Sequence, residues 1–236
     1  MSFLKVSAAT LILFFITAVS VRHSSQTTQA SLVKPHPESF GNLENPIRPA
    51  PNSTQRFSLN ATESKFIAHA SAGGLFWFKG HDHFVAVRDF KGEVLLDPSS
   101  LTASSLQRTA RADSMIETSS VFTDDQKQII DKELREIVLE PAKYPEITFK
   151  STNVSGQALR NNQYDLKIAG DLTLHGVTRP VTIPTKVTQT GNELRATGEF
   201  SIERGDFKVK ATSAFHGLVR VQDKVKFTFD IVGHAI

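Results

Sequence analysis

The sequence predicts an all-β fold, an antiparallel β-barrel of about eight strands with one helical insert. Three observations carry that expectation. Most of the chain after Thr54 alternates apolar and polar residues with period two, the pattern of strands with one buried and one solvated face. The runs are short and separated by turn sequences such as Thr190-Gly191-Asn192-Glu193, a spacing found in sandwiches and closed barrels. Seventeen phenylalanines stand against two tyrosines and one tryptophan, so the aromatic residues supply wide apolar surface that needs no hydrogen-bond partner. A closed barrel of that strand number leaves a lumen able to hold one apolar ligand, and the phenylalanine surplus favours closure over a packed sandwich.

The elements follow in order. The runs SKFIAHA (64–70) and LFWFKGHDHFVAVRDFKGEVLLD (75–97) read as strands, the second bending at Gly80 and Gly92. TASSLQRTARADSM (102–115) is less decided, with strand-like alternation. The period then lengthens. Thr123 and Gln126 form a capping box, and Ile130, Leu134, Ile137 and Val138 share one face of a helix from Asp124 to Leu139. Pro141 ends it. Beyond the helix, Ile147 and Phe149, Leu172 and Leu174, Val181 and Ile183, and Phe200 and Ile202 pair on the apolar faces of four strands. A last strand sets Val225, Phe227, Phe229 and Ile231 against Lys224, Lys226, Thr228 and Asp230.

Upstream of these strands the composition changes. In residues 1–20, Lys5 precedes an apolar run from Val6 to Val19, and Arg22, His23 and Ser24 follow. This is the pattern of a signal peptide, with Ala18-Val19-Ser20 or Thr28-Gln29-Ala30 as cleavage sites. The alternative is an uncleaved membrane anchor, for which the run is short against the roughly 20 apolar residues of a spanning helix. Residues 21–54 are rich in Pro, Ser, Thr and Asn without a sustained period, as in a linker. Residues 55–236 form the folded domain. The expected location is periplasmic or secreted, with tethering through an uncleaved N-terminal segment left open.

Bulk chemistry narrows the function. The 27 Lys and Arg residues against 24 Asp and Glu give a net charge of +3 with the two signs interspersed, which argues against nucleic acid as a partner. With no cysteine, disulfides and thiolate metal sites are excluded. No nucleophile elbow, Walker A loop, zincin helix or dinucleotide-binding glycine pattern is present, so the chain reads as a non-enzyme without a cofactor.

The segment Phe78-Lys79-Gly80-His81-Asp82-His83-Phe84 is the sharpest local feature. On a strand, His81 and His83 share a face with Val85 and Val87 while Asp82 and Phe84 point the other way; either the two histidines look toward the core side or the Gly80 bend breaks that phase. Two imidazoles at that spacing suit a metal such as Zn²⁺ or Cu²⁺, given a third ligand, for which His175 is the first nominee and His69 and His216 follow. Contact with a ligand head group at a pocket rim and a hydrogen-bonded structural turn are the other two readings, and all three stay open. For His175, a ring that fixes the turn before Gly176 is the favoured role.

The segments YPEITFKSTNV (144–154), IAGDLTLHGVTRPVTIP (168–184) and ATGEFSIERGDFKV (196–209) resemble the YceI-like family. The upstream AGGLFWFKGHDHFVAV (72–87) is similar to a branch with a Gly-His-Asp/Glu-His turn. The resemblance implies a lipocalin-like barrel, exported by bacteria, that holds a long isoprenoid lipid or the tail of a quinone. On that footing Phe149, Leu172, Leu174, Phe200, Phe227 and Phe229 are candidate lumen wall, and Phe78, His81, His83 and Val85 join them as candidate ligand contacts. Ordinary core is the plain alternative for the apolar residues, since burying one such side chain contributes roughly 1.5–3 kcal/mol with or without a ligand. The expected function is sequestration or carriage of an apolar chain. Two rivals are a histidine-centred metal protein or enzyme, and an interaction module with a packed interior that docks a membrane partner. Transient membrane association and a homodimer also stay open.

Overall fold

The computed structural model describes residues 53–74, 78, 80–211, 213–214 and 219–236, all within one compact unit spanning 47–236. The expected leader and all but the end of the expected linker, residues 1–52, lie outside the described residues, as does His216.

The alternating segments form eleven strands among the described residues: β1 (Gln55–Gly73), β2 (His83–Val87), β3 (Phe90–Leu96), β4 (Ser105–Arg111), β5 (Met115–Glu117), β6 (Glu146–Ala158), β7 (Gln163–Leu174), β8 (Val177–Thr190), β9 (Glu193–Glu203), β10 (Ser213–Ala214) and β11 (Val219–Ala235). Eight of them close the barrel. The ring runs β1, β3, β4, β6, β7, β8, β9, β11 and back to β1, with every pair antiparallel. The expected all-β barrel is therefore the observed one.

β1 makes closure and access compatible because it changes partner along its length. Gln55–Ser58 pair with β3, whereas Ile67–Ala70 pair with β2, which in turn carries β5. Between the two stretches the register with β11 slips from Asn60 to Lys65, and the Ser64 hydroxyl accepts the Val232 N–H at 2.9 Å in place of a ladder bond. Such irregularities bend a strand and re-aim it. At the end where β1 begins, Phe57, Leu96, Tyr164, Val187 and Leu194 are buried together and form a solid floor. The opposite end carries the helix, β2, β5 and the β7–β8 turn.

Two expectations about local structure are corrected here. The bend placed at Gly80 is present, but the one placed at Gly92 is instead a break at Arg88–Asp89, and Gly92 sits mid-strand in β3. A Cβ on Gly92 would stand 2.4 Å from the Gln107 carbonyl oxygen on β4, so this glycine permits a close strand approach rather than a bend. The helix expected from Asp124 to Leu139 is α-helical only over α1 (Asp124–Glu133), and Leu134–Leu139 form a π-helical turn. The capping box of Thr123 and Gln126 is present. In the π turn the hydrogen-bond span widens to five residues, and Leu134 and Leu139, five apart, are both buried in the core while Ile137 is 41% exposed. The inferred face of Ile130, Leu134, Ile137 and Val138 assumed an α-helical repeat throughout, and it is wrong at Ile137 for that reason.

Candidate ligand cavity

Inward-facing residues of the eight ring strands do not meet at the barrel axis. They surround a cavity of about 470 Å³, within the roughly 300–1,000 Å³ range of small-ligand sites. One wall is built from phenylalanines on three adjacent strands. Phe66 of β1 lies opposite Phe229 of β11, and Phe227 of β11 opposite Phe200 of β9. Ring centroids of Phe200 and Phe227 are 4.9 Å apart and nearly parallel, and Phe66 stacks on Phe229 at 6.1 Å. Leu172, Leu174, Ile147 and Phe149 line the cavity from β7 and β6, and Val181 and Ile183 from β8.

Nine of the ten expected contact residues line this cavity: His81, His83, Val85, Phe149, Leu172, Leu174, Phe200, Phe227 and Phe229. Phe78 is the exception, being 63% exposed and absent from the lining. It precedes the ordered strand, which begins at His83, so strand periodicity cannot be carried back to it.

The histidines end in different places. His81 and His83 reach the upper cavity with Val85 and Val87, and both meet Phe122, edge-on at 5.7 Å and stacked at 5.3 Å respectively. His83 Nδ1 lies 2.9 Å from Glu117 Oε2. The other oxygen of Glu117 accepts backbone N–H groups of Phe84, Thr118 and Ser119 at 3.1, 2.9 and 2.7 Å. Burial pushes the Glu117 carboxyl up, but the bonds from His83 and the backbone together outweigh it and hold the group below the usual carboxylate range. Asp82 points outward as expected, where it takes the Ala72 N–H at 2.9 Å and His69 Nε2 at 2.7 Å. The Ala72 N–H, opposed by burial and aided by His69, keeps its carboxyl low. Phe84 covers the His69 ring at 4.5 Å on the same outer face.

His175 is buried in the β7–β8 turn, where it and Gly176 both adopt positive φ, 51° and 72°. That pair suits a two-residue hairpin turn. A Cβ on Gly176 would press into the Tyr144 ring at 2.7 Å. The His175 ring packs on Tyr144 at 4.2 Å and bonds Glu140 at 2.7 Å through Nε2, and this bond, against a small desolvation, lowers the Glu140 carboxyl. The nominated third ligands His69 and His175 are thus engaged elsewhere with their own carboxylates, because one faces outward and the other sits inside a turn. Among the described residues no three His, Asp or Glu side chains converge as metal ligands.

Three residues of the site are not identified by the sequence analysis. Glu117, at the end of the three-residue β5, and Phe122, in the segment between β5 and α1, back the two cavity histidines and carry no periodic signal of their own. Arg108 did carry one: in SLQRTAR it falls in phase with Leu106 and Ala110, both of which face inward. Its guanidinium lies 3.9 Å from the Phe66 centroid and 4.5 Å from that of Phe90. Burial pushes it down to about 10, so it stays cationic at neutral pH. An enclosed charge costs several kcal/mol even after relaxation, of which a desolvated cation–π contact returns about 2 kcal/mol.

A closed antiparallel barrel of eight strands with a solid floor and an apolar interior cavity defines the class: a lipocalin-like β-barrel. Within that class the chain belongs to the YceI-like domain family, whose model matches residues 57–233. The protein YceI of Escherichia coli O17:K52:H18 (strain UMN026 / ExPEC) is 38% identical over 107 residues, 45% of this chain and 49% of that protein. The match thus spans about half the length of this curated relative. Among solved structures, Burkholderia cenocepacia BcnA superposes with a TM-score of 0.58 at 23% identity, covering 74% of this chain and 98% of that one. A polyisoprenoid binding domain from Saccharophagus degradans implicated in plant cell wall breakdown gives 0.56 at 15% identity, covering 76% and 98%. At those identities the likeness is one of fold.

Proposed function

We propose that this protein is an exported carrier that holds one long apolar chain, of isoprenoid type, inside the barrel. The observation that carries the reading is the cavity itself: about 470 Å³ bounded by phenylalanine, leucine, isoleucine and valine and closed below by the Phe57 floor. An apolar chain gains roughly 0.8 kcal/mol for each CH₂ buried, so such a lumen binds strongly without polar contacts. Phe149, Leu172, Leu174, Phe200, Phe227 and Phe229 form the wall for the chain in this reading, with Val85 above them. His81 and His83 are polar contacts for the end of the ligand at the rim. The binding of polyisoprenoid named for the Saccharophagus degradans domain supports the isoprenoid class, and the signal-peptide pattern of residues 1–20 supports export. A quinone tail fits the same lumen. The reading requires no catalysis and no cofactor.

Native mass spectrometry of the full chain, expressed for export without added lipid or chelator, tests it. A lipid-sized mass released by organic solvent is the expected result, and its fragments identify the ligand. Protein recovered only at its own mass, which then takes up neither a long-chain prenol nor a hydrophobic fluorescent probe, overturns the reading.

A further inference from the structure

Binding of an apolar chain leaves the chemistry of Arg108 unused. β4 directs Leu106, Arg108 and Ala110 at the cavity, Leu106 beside the floor cluster and Ala110 in the upper cluster. Arg108 therefore stands at mid-depth in the wall, away from the rim where Arg204, Lys210 and Arg220 sit. Its partners across the sheet are Gly92 on one side and Phe149 on the other, and its guanidinium lies over Phe66 and Phe90. Those rings occupy faces of the planar cation and accept no conventional hydrogen bond from its edge. A guanidinium presents five N–H donors around that edge. Nε is buried without a hydrogen-bond partner among the described residues, and burial alone shifts the group, with no acidic partner contributing. The nearby charged side chains Lys91, Glu93 and Lys150 are exposed on the outer face.

A permanent cation with unused donors, facing an otherwise apolar cavity, selects a ligand that brings an anion with it. We propose that the lumen takes a carboxylate-headed lipid, its carboxylate bound by the Arg108 guanidinium and its chain lying along the phenylalanine wall. The inference rests on the lumen-binding reading above and names the head group within it. A carboxylate matches the guanidinium fork with two parallel N–H···O bonds and balances its single charge. A phosphate monoester, at about −1.5 to −2 near neutral pH, would leave excess negative charge at a depth where the lining offers no second cation.

The test uses the full-length protein, stripped of lipid, with oleate and oleyl alcohol as probes that share a chain and differ in the head. Calorimetric titration of the wild type should favour oleate by about ten-fold or more, the range of a charge-assisted hydrogen bond. Arg108→Met should abolish that preference, weakening oleate by at least about ten-fold while oleyl alcohol stays within about three-fold. If both probes bind and the ratio is unchanged in Arg108→Met, the head-group assignment is wrong and lumen binding survives. If neither probe nor a long-chain prenol binds the wild type, the lumen reading itself fails and takes this one with it. Should Arg108→Met not fold, the wild-type arginine Nε–H resonance answers the same question by NMR. Oleate should shift it and oleyl alcohol should not; a resonance unmoved at saturating oleate overturns the proposal.

Discussion

Glu117 is 4% exposed and holds the upper end of the barrel together through one carboxylate. Replacing it with alanine removes the acceptor for three backbone N–H groups and the partner of His83. The Thr118 N–H also reaches the Phe84 carbonyl at 2.8 Å, so it keeps a partner. Those of Phe84 and Ser119 lose the bonds described for them, and Ser119 is buried. Leaving a buried donor unpaired costs about 1–3 kcal/mol, so Glu117→Ala should lower stability by about 3 kcal/mol. For a domain of this size that corresponds to a drop in Tm of about 6–12 °C. Glu117→Gln preserves an oxygen for the backbone donors and should cost only about 1 kcal/mol. The two variants also separate from the wild type in acid. A carboxyl held below its usual value of about 4.5 stabilises the fold above that pH, and the contribution is lost as pH falls through the lower folded value. Both variants should therefore lose less stability than the wild type on going below about pH 4.5. Denaturant unfolding across pH 3–7 measures each contribution. Equal stability losses for the alanine and glutamine variants, with an unchanged acid limb, would refute the claim that this carboxylate organises the end of the barrel.

Three further outcomes are expected. Leu174→Arg puts a cation into the apolar wall and should abolish uptake of a prenol probe; a folded variant that still takes up the probe contradicts the placement of Leu174 in the wall. A Cβ on Gly198 would stand 2.3 Å from the Pro184 carbonyl oxygen and 2.7 Å from the Phe229 ring, so Gly198→Ala should destabilise by about 1–3 kcal/mol through overpacking, read from the urea midpoint. The π turn makes Leu139→Ala costly, about 2–5 kcal/mol, and Ile137→Ser neutral within about 0.5 kcal/mol. Equal losses at the two positions would restore the simple α-helical face.

Much of this barrel was legible because period-two alternation is a local property. Phe149, Leu172, Phe200 and Phe227 each sit on the apolar phase of their own strand, and phase survives whatever the strand pairs with. His83 followed Val85 inward on the same ground, whereas His81 lies before the strand and its place at the cavity mouth is not set by strand phase. The capping box that starts α1 was equally local, a matter of Thr123 and Gln126 three residues apart. Closure to a ring, which alternation alone leaves undecided between barrel and sandwich, was favoured by the phenylalanine surplus and by the family resemblance.

Tertiary structure decided what the inward residues surround. Whether Phe66 and Phe227 fill a core or border a void depends on ring closure and on the switch of β1 from β3 to β2, neither of which any short window of sequence contains. The same holds for Glu117, thirty-four positions from His83, and for His175, whose pairing with Glu140 removed it from the proposed ligand set. Electrostatic and packing partners are chosen by distance in space, and an eight-strand ring brings together residues that the chain keeps far apart. Arg108 shows both sides: its inward phase was written in SLQRTAR, but its meaning as a charge within an apolar cavity came only from the walls that other strands built around it.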